Sequence, residues 1–280
     1  MITLLEVLQK STSFLNERGL VDAKRSSEWI MAQSLGLKRL DLYLQFERPM
    51  TEEELVEIRK GIKRRANREP LQHILGTVDF YGVELKTDSR ALIPRPETEY
   101  LVELLHTRYL NKEPTRILDL GTGTGAIAIA LLSVFSNSLA VGVDQSEAAL
   151  KLATENAKSV GVFERLDLLV SDWFEKVEGD FELIVANPPY LTSEEMDTAD
   201  PEVIKFEPRE ALYGGDDGQD YLNHIIDGSY SYLADGGMLV LETGILQHTS
   251  LMARAKQAGF ISIQSVKDLD RRDRFLIGLK

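Results

Sequence analysis

Apolar residues recur at helical spacing from the start of the chain to about residue 76. Leu4, Leu5, Leu8 and Leu15 fall on one face of a segment over about 3–17, and Gly19 stops it. A second helix is expected over about 22–35, up to Gly36, with Trp29, Ile30 and Leu35 facing a core. A short one follows over about 39–46 and ends before Pro49. Thr51-Glu52-Glu53-Glu54 then reads as a capping box, in which the Thr hydroxyl and the Glu carboxylate each satisfy the other's free amide. It opens a helix to about Arg68; Pro70 closes it, and Leu71 to Leu75 makes a last short turn. Residues 1–76 therefore read as an all-helical bundle.

The period changes over 77–88, where Val78, Phe80, Val83 and Leu85 flank Tyr81-Gly82, the pattern of a hairpin or paired strands. A stiff loop, Leu92-Ile93-Pro94-Arg95-Pro96-Glu97, follows, and Thr98 is expected to cap a helix over about 98–110. This gives a connecting segment over 77–97 and a second domain over 98–280. There, strand-like runs fall at 116–120, 139–143, 166–170, 181–186, 237–242, 260–266 and 274–278. Helical patterns at about 125–135, 146–160, 218–233 and 246–257 alternate with them. That alternation predicts an α/β fold, a mostly parallel sheet of seven strands with helices on both faces. The last two runs have no helix between them, so one of them should run antiparallel to the rest.

With 280 residues, 43% of them hydrophobic, the chain can bury a large core. It has no apolar run near the length of a membrane span, and it does not begin with the basic and apolar segments of a signal peptide. It is expected to be cytoplasmic and monomeric. The absence of Cys excludes disulfides, thiolate zinc sites and Cys nucleophiles, and four scattered His residues make no metal site. The net charge of −13 is uneven: residues 1–80 carry +1 and residues 81–280 carry −14. An acidic second domain argues against tight binding of naked nucleic acid, which rests on neutralising phosphates. The one basic run, Arg59 to Arg68, fits a solvated helix face, or contact with RNA or an acidic partner.

Two stretches in the second domain carry the chemistry. Asp119-Leu120-Gly121-Thr122-Gly123-Thr124-Gly125 is a strand end, a glycine-rich turn and a helix start. Such glycines let the backbone approach a ligand closely. A carboxylate within the turn repels a pyrophosphate and attracts a cation, so Asp119 points to a cationic nucleoside such as S-adenosylmethionine (SAM), or else braces the turn itself. Asp144, at the next strand end, is placed to accept both ribose hydroxyls, and equally to cap the helix that follows. Asp172 and Trp173 fall where an adenine would lie, with Asp172 accepting from the exocyclic amine; core packing is the other reading of the aromatics.

Asn187-Pro188-Pro189-Tyr190 follows the fourth strand run. Two prolines remove two backbone donors and leave nearby carbonyls free to accept. Asn187 adds an acceptor and Tyr190 a flat face, which together suit a planar amino group with two N–H bonds; a plain Pro-rich turn with Asn187 as a helix cap is the alternative. Arg95 and Glu97 fit a substrate wall or a salt-bridged hinge. The long acidic loop from Phe206 to Gly218 is of a length more often functional than neutral.

Taken together, these motifs resemble class I SAM-dependent methyltransferases acting on planar amino groups. Leu92 to Glu99, Ser171 to Phe174 and the Phe206 to Gly218 stretch make the chain similar to the PrmC/HemK family, the glutamine-N5 methyltransferases of class-1 peptide chain release factors. The resemblance spans essentially the whole chain, and it implies a Rossmann-like catalytic domain behind a substrate-recognising helical bundle. It implies SAM as cofactor, S-adenosyl-L-homocysteine as product, and the Gln of a Gly-Gly-Gln tripeptide as acceptor. Gly121, Thr122, Gly123, Thr124, Gly125, Asp144, Trp173 and Asn187 would then contact SAM. Asn187, Pro188, Pro189 and Tyr190 would hold the Gln amide. The chain departs from the family pattern at Arg271, where a Gly is common, while Glu242-Thr243-Gly244 and Gln247 fit a strand motif assigned to structure. Competing readings are an adenine-N6 methyltransferase on DNA or RNA, a nicotinamide dehydrogenase, and a non-catalytic SAM-binding or assembly factor.

Overall fold

A computed structural model describes residues 2–280, which divide into two compact units. The first comprises the chain up to Thr77 together with Asp200–Phe206. Its helices are α1 (Leu4–Glu17), α2 (Ala23–Leu35), α3 (Glu52–Ala66) and α4 (Leu71–Leu75). Thr3 and Thr51 start α1 and α3 with complete capping boxes to Glu6 and Glu54. The core draws on Leu4, Val7, Leu8, Leu15, Ile30, Met31, Ile58 and Ile62. Leu5, Trp29 and Leu35, expected inside, are only partly buried. Residues Arg39–Leu44 form a 3₁₀ helix rather than an α-helix, with Leu42 buried and Leu40 and Leu44 exposed, so no apolar stripe supports regular turns.

Arg65 is the polar anchor of this unit. Its side chain, 8% exposed, pairs with Asp22 at 3.1 Å and Glu202 at 3.1 Å and donates to Ser26 Oγ at 3.1 Å. Arg68 reaches the same Glu202 oxygen at 3.3 Å. Elsewhere in the basic run, Arg59, Lys60 and Arg64 pair with Glu52, Glu57 and Glu69. Internal partners thus take up five of its cations. Glu202 ties Asp200–Phe206 to this unit, although the sequence places that stretch in the second domain: a buried guanidinium demands a carboxylate partner.

The second unit begins at Val78, where β1 (Thr77–Phe80, its first residue in the first unit) and β2 (Val83–Lys86) form the expected hairpin around Tyr81-Gly82, both with positive φ. Then come α5 (Pro96–Arg108), β3 (Arg116–Leu120), α6 (Ala126–Val134), β4 (Leu139–Asp144), α7 (Glu147–Val160), β5 (Leu166–Val170) and β6 (Phe181–Ala186). After α8 (Ser193–Thr198) and α9 (Pro201–Phe206, within the first unit) follow α10 (Asp220–Tyr232), β7 (Leu233–Glu242), α11 (His248–Gln257), β8 (Ile261–Lys267) and β9 (Asp273–Leu279). Among the described residues the larger sheet has seven strands in the order β5-β4-β3-β6-β7-β9-β8, with β9 antiparallel to both neighbours. Alternate residues of β6 and β7 enter two cores: Leu183, Val185, Met238 and Val240 join α5 and α6, while Ile184, Ala186, Leu239 and Leu241 join α10 and α11.

Two local differences have clear causes. Strand β7 starts at Leu233, before the expected Gly237, because Leu233 pairs with Phe181 ahead of an irregularity in the β6 register. Arg271 stands at φ +63°, a left-handed backbone that favours Gly. Asp268 holds this turn, accepting Arg272 N–H at 2.9 Å and Arg272 Nε at 2.8 Å.

Strand order also sets the place of the site. The chain moves outward from β3 through β4 to β5, then returns to the other side of β3 for β6 and β7. The crevice beyond the carboxyl ends of β3 and β6 is the topological switch point of an open parallel sheet. Leu120 pairs with Ala186, which sets Gly121 and Asn187 side by side, and Ala186 pairs with Leu241, which brings Glu242 next to Asn187.

Candidate active site

A cavity of about 300 Å³ opens at that crevice. The glycine-rich turn forms its floor, with Gly121, Gly123 and Gly125 at φ +71°, +55° and +81°. A β-carbon at Gly125 would stand 2.8 Å from Ile129 Cδ1 and 3.2 Å from Ala153 Cβ, so this position admits only Gly. Gly121, Thr122, Gly123 and Thr124 all line the cavity. Asp144 lines it as well, and its carboxylate accepts Gly123 N–H at 2.9 Å and Ser146 N–H at 2.8 Å. Each oxygen keeps a further lone pair, so bracing the turn and receiving hydroxyls are compatible. Burial raises its carboxyl above the usual range, against the pull of those amides.

Asp172 and Trp173 form another part of the wall. Trp173 holds a left-handed backbone at φ +44°, uncommon for a bulky residue, and its ring packs 5.4 Å from the Tyr221 ring, which also faces the cavity. The indole edge lies near Gly121, where a β-carbon would meet it at 3.6 Å. The two rings are tilted by 42° to each other.

Asp119 sits beneath the turn rather than on the cavity wall. It is 1% exposed; Oδ2 accepts Thr122 Oγ1 at 2.7 Å and Ala128 N–H at 3.2 Å, while Oδ1 is buried without a partner. Burial pushes its carboxyl up to about 6 from 3.8, the Asp144 charge adding and the two hydrogen bonds opposing. A carboxyl raised in the folded state holds its proton more tightly there than in the unfolded chain. Its stabilising contribution is therefore complete below about pH 4 and lost as pH rises through 6. Asp119→Asn removes this titration. In urea unfolding, the parent should lose stability relative to that variant between about pH 4 and 7, on the order of 3 kcal/mol in all. A difference that does not change with pH would show an ordinary carboxyl.

Asn187 borders the cavity, and so does Pro189; Pro188 and Tyr190 lie behind them. Asn187 caps no helix, since Thr192 caps α8 with its own capping box. Its Nδ2 donates to Thr98 Oγ1 at 3.0 Å, and Thr98 Oγ1 donates to Glu242 Oε2 at 2.7 Å. The Tyr190 hydroxyl donates to Glu242 Oε1 at 3.1 Å, with Arg274 lying 5.9 Å over the Tyr190 ring. Burial first, then the Glu242 charge, pushes the Tyr190 phenol far above its ordinary value. Burial also raises Glu242, with Thr98, Tyr190 and Arg274 pulling it back. Among the described residues, no donor occupies Asn187 Oδ1 or the Pro188 carbonyl.

The acidic loop clamps this segment from the far side. Gln247 Nε2 donates to the Tyr190 carbonyl at 3.0 Å and the Gly218 carbonyl at 3.1 Å, and Gly214 N–H donates to the Leu191 carbonyl at 2.9 Å. Arg95 faces the cavity while donating to both oxygens of Glu207 at 2.6 and 2.8 Å, a carboxylate only 1% exposed. Glu97 points instead to Arg272 at 3.4 Å.

Sequence reasoning missed Thr98. Helix α5 starts at Pro96 with Arg95 as its cap, so Thr98 lies inside the first turn and its hydroxyl serves the site. The signal was present, because Pro favours the first position of a helix. Glu242 and Gln247 were assigned to structure; the fold places both against the Asn187 to Tyr190 segment.

Among the described residues, no group of acidic or His side chains could hold a metal, and no helix is long and apolar enough to cross a membrane. The family described as PrmC N-terminal domain matches residues 6–76, and the one described as methyltransferase small domain matches 96–212. A release factor glutamine methyltransferase from Geobacter sulfurreducens is 39% identical over 280 residues, covering 99% of this chain and 96% of the relative. Solved structures share the fold. A methyltransferase from Pyrococcus furiosus has a TM-score of 0.54 at 19% identity, over 71% of this chain and 89% of that one. The T. thermophilus 16S rRNA N2 G1207 methyltransferase in complex with AdoMet and guanosine has a TM-score of 0.53 at 19% identity, over 73% of this chain and 49% of that one. Identity at this level along nearly the full length of both chains means that this protein belongs to the release factor glutamine methyltransferase family.

Proposed function

We propose that this chain transfers a methyl group from SAM to the side-chain amide nitrogen of the Gln in the Gly-Gly-Gln motif of class-1 peptide chain release factors. One observation supports the reading: Asn187 borders a cavity floored by the glycine-rich turn, and among the described residues no donor occupies its Oδ1 or the Pro188 carbonyl that follows it in the chain. The name borne by the Geobacter sulfurreducens relative supports the same substrate.

The residues present fit the cofactor. The turn from Gly121 to Thr124, which lines the cavity, and the Asp144 carboxylate would hold the nucleoside, with Trp173 against the adenine and Asp172 near its amine. Gly125, whose N–H donates to the Thr122 carbonyl at 2.8 Å, would shape the turn from outside the cavity wall. Asp119, beneath the turn, would act by shaping the loop and by its charge. Bound SAM supplies an electrophilic methyl group on a sulfonium. What the chain must do is prepare the acceptor, because an amide nitrogen delocalises its lone pair into the carbonyl. Asn187 Oδ1 and the Pro188 carbonyl each accept one N–H, which directs the remaining electron pair into the cavity. Tyr190, held by Glu242 and Arg274, backs the amide plane, and Arg95 borders the entry. No strong base is required, since the nitrogen acidifies as it becomes tetrahedral and would release one N–H proton to water. Positioning would supply most of the acceleration, up to about 7–11 kcal/mol.

The helical bundle is the natural recognition surface for the release factor. The enzyme would act as a cytoplasmic monomer without a nucleic acid substrate. Incubating the protein with SAM and purified release factor, then mapping the Gly-Gly-Gln peptide by mass spectrometry, tests the reading: one added methyl on the Gln is expected. An unmodified peptide, with methyl appearing on DNA or RNA instead, would overturn it.

A further inference from the structure

We infer that Glu242 and Thr98 set the polarity of Asn187, forcing its carboxamide oxygen rather than its nitrogen toward the substrate. The inference deepens the methyl-transfer reading and rests on it for its kinetic test. An Asn side chain presents an acceptor on one side and donors on the other, and its own shape does not choose between the two orientations. A flipped Asn187 would offer N–H groups to an incoming NH₂, and the grip on the amide would become a clash of donors.

Hydrogen-bond arithmetic decides the orientation. An ionised carboxylate only accepts. Glu242, 1% exposed at the end of β7, has both oxygens engaged, Oε2 by the Thr98 hydroxyl at 2.7 Å and Oε1 by the Tyr190 hydroxyl at 3.1 Å. A Thr hydroxyl has one proton, and here it is spent on Glu242. Thr98 Oγ1 can therefore meet Asn187 only as an acceptor, which calls Nδ2 to that side at 3.0 Å and turns Oδ1 to the other. The Thr98 and Tyr190 hydroxyls and the Arg274 charge oppose the rise that burial imposes on the Glu242 carboxyl, and Arg274 Nη1 is 3.5 Å from the Tyr190 hydroxyl. Glu97 is the other carboxylate acting on Glu242, and it is paired with Arg272. Glu242 and Thr98 are thus positioning residues that act through Asn187 and Tyr190 without touching the reacting atoms themselves. They arrive from separate parts of the chain, α5 and β7, so the polarity exists only in the assembled fold.

Three variants and one direct observation test this. Thr98→Val keeps the shape and removes the acceptor; Glu242→Gln keeps the shape and permits the relay to reverse. Each should lower kcat with release factor and SAM by about tenfold or more, with KM for release factor and the calorimetric Kd for SAM within about threefold of the parent. Thr98→Ser keeps the hydroxyl and should recover about a third or more of the parent kcat. Folded Thr98→Val and Glu242→Gln proteins with the parent kcat would overturn the inference, as would a Thr98→Ser loss as deep as that of Val. Neutron diffraction from crystals of the deuterated parent protein reads the orientation without any assay. The Thr98 deuteron should point at Glu242, with the Asn187 ND₂ group facing Thr98; a deuteron directed at Asn187 overturns the inference. A parent enzyme that leaves the release factor unmethylated would refute the substrate assignment, whereas the neutron map would still decide the relay.

Discussion

Asn187→Ala should reduce turnover on the release factor by on the order of 10²-fold or more, the scale seen when one preorganised transition-state hydrogen bond is removed. The loss should fall on kcat. Asn187 borders the cavity together with the glycine turn, Asp144 and Trp173, and in the proposed reading those other residues would supply most of the nucleoside contacts. SAM affinity should therefore fall by no more than a few-fold in calorimetry. Stability should change little: Thr98 keeps its bond to Glu242, and the truncation opens space at a cavity edge rather than in a packed core. Asn187→Asp is a sharper probe of the same idea. It keeps the oxygen that faces the substrate but replaces the Nδ2 donor by a second oxygen, set against a Thr98 hydroxyl whose proton is already committed. Parental turnover of Asn187→Ala in a steady-state assay would show that the side chain grips nothing in the transition state; parental turnover of Asn187→Asp would show that the Nδ2 bond to Thr98 is not needed to aim the oxygen.

Gly218→Ala should be nearly as damaging and through a different route. Gly218 stands at φ +70°, and a β-carbon there would run into the Tyr190 carbonyl oxygen and approach Gln247 Nε2 to 2.6 Å. Neither neighbour is free to yield. The Tyr190 carbonyl belongs to a stretch fixed by two prolines, and Gln247 is bound at both ends, Oε1 by Gly244 N–H at 2.8 Å and Nε2 by the Tyr190 carbonyl. A left-handed Ala costs about 1 kcal/mol or more, and overpacking adds roughly 1–3 kcal/mol. Thermal unfolding should therefore shift down by about 5–10 °C at roughly 2–4 °C per kcal/mol. Because the clash displaces the Tyr190 main chain, turnover should drop by about tenfold or more in protein that is still folded. An unaltered melting curve would mean that the loop from Gly214 to Gly218 does not bear on the Asn187 to Tyr190 segment.

Local chemistry made much of the molecule legible. Alternating apolar runs located all seven strands of the large sheet, and a missing helix between the last two gave the reversed strand. The glycine turn, Asp144, Asp172, Trp173 and Asn187 were singled out because each combines a strand end with a residue type suited to one part of a nucleoside or an amide, and the fold brings residues of all of them to one cavity. What escaped depended on distant partners. Glu242 is 144 positions from Thr98, and no short window shows that a strand-end carboxylate will be buried against a helix start. Asp119 was read from its charge, whereas the packing around β3 sets its depth under the turn. Thr98 was taken for a cap because it precedes a helical pattern; the proline two residues earlier had already begun the helix.

The seven residues from Asp200 to Phe206 bear on how this chain can be dissected. A protein cut after Thr77 yields a first fragment with every helix from α1 to α4 yet without Glu202, and Arg65 would be left with Asp22 as its one carboxylate. The complementary piece would carry α9 as an orphan. Genetic exchange of the bundle between relatives at that obvious seam would accordingly transplant an incomplete module, and a swap faithful to the fold needs two crossovers more, one on each side of this short insert.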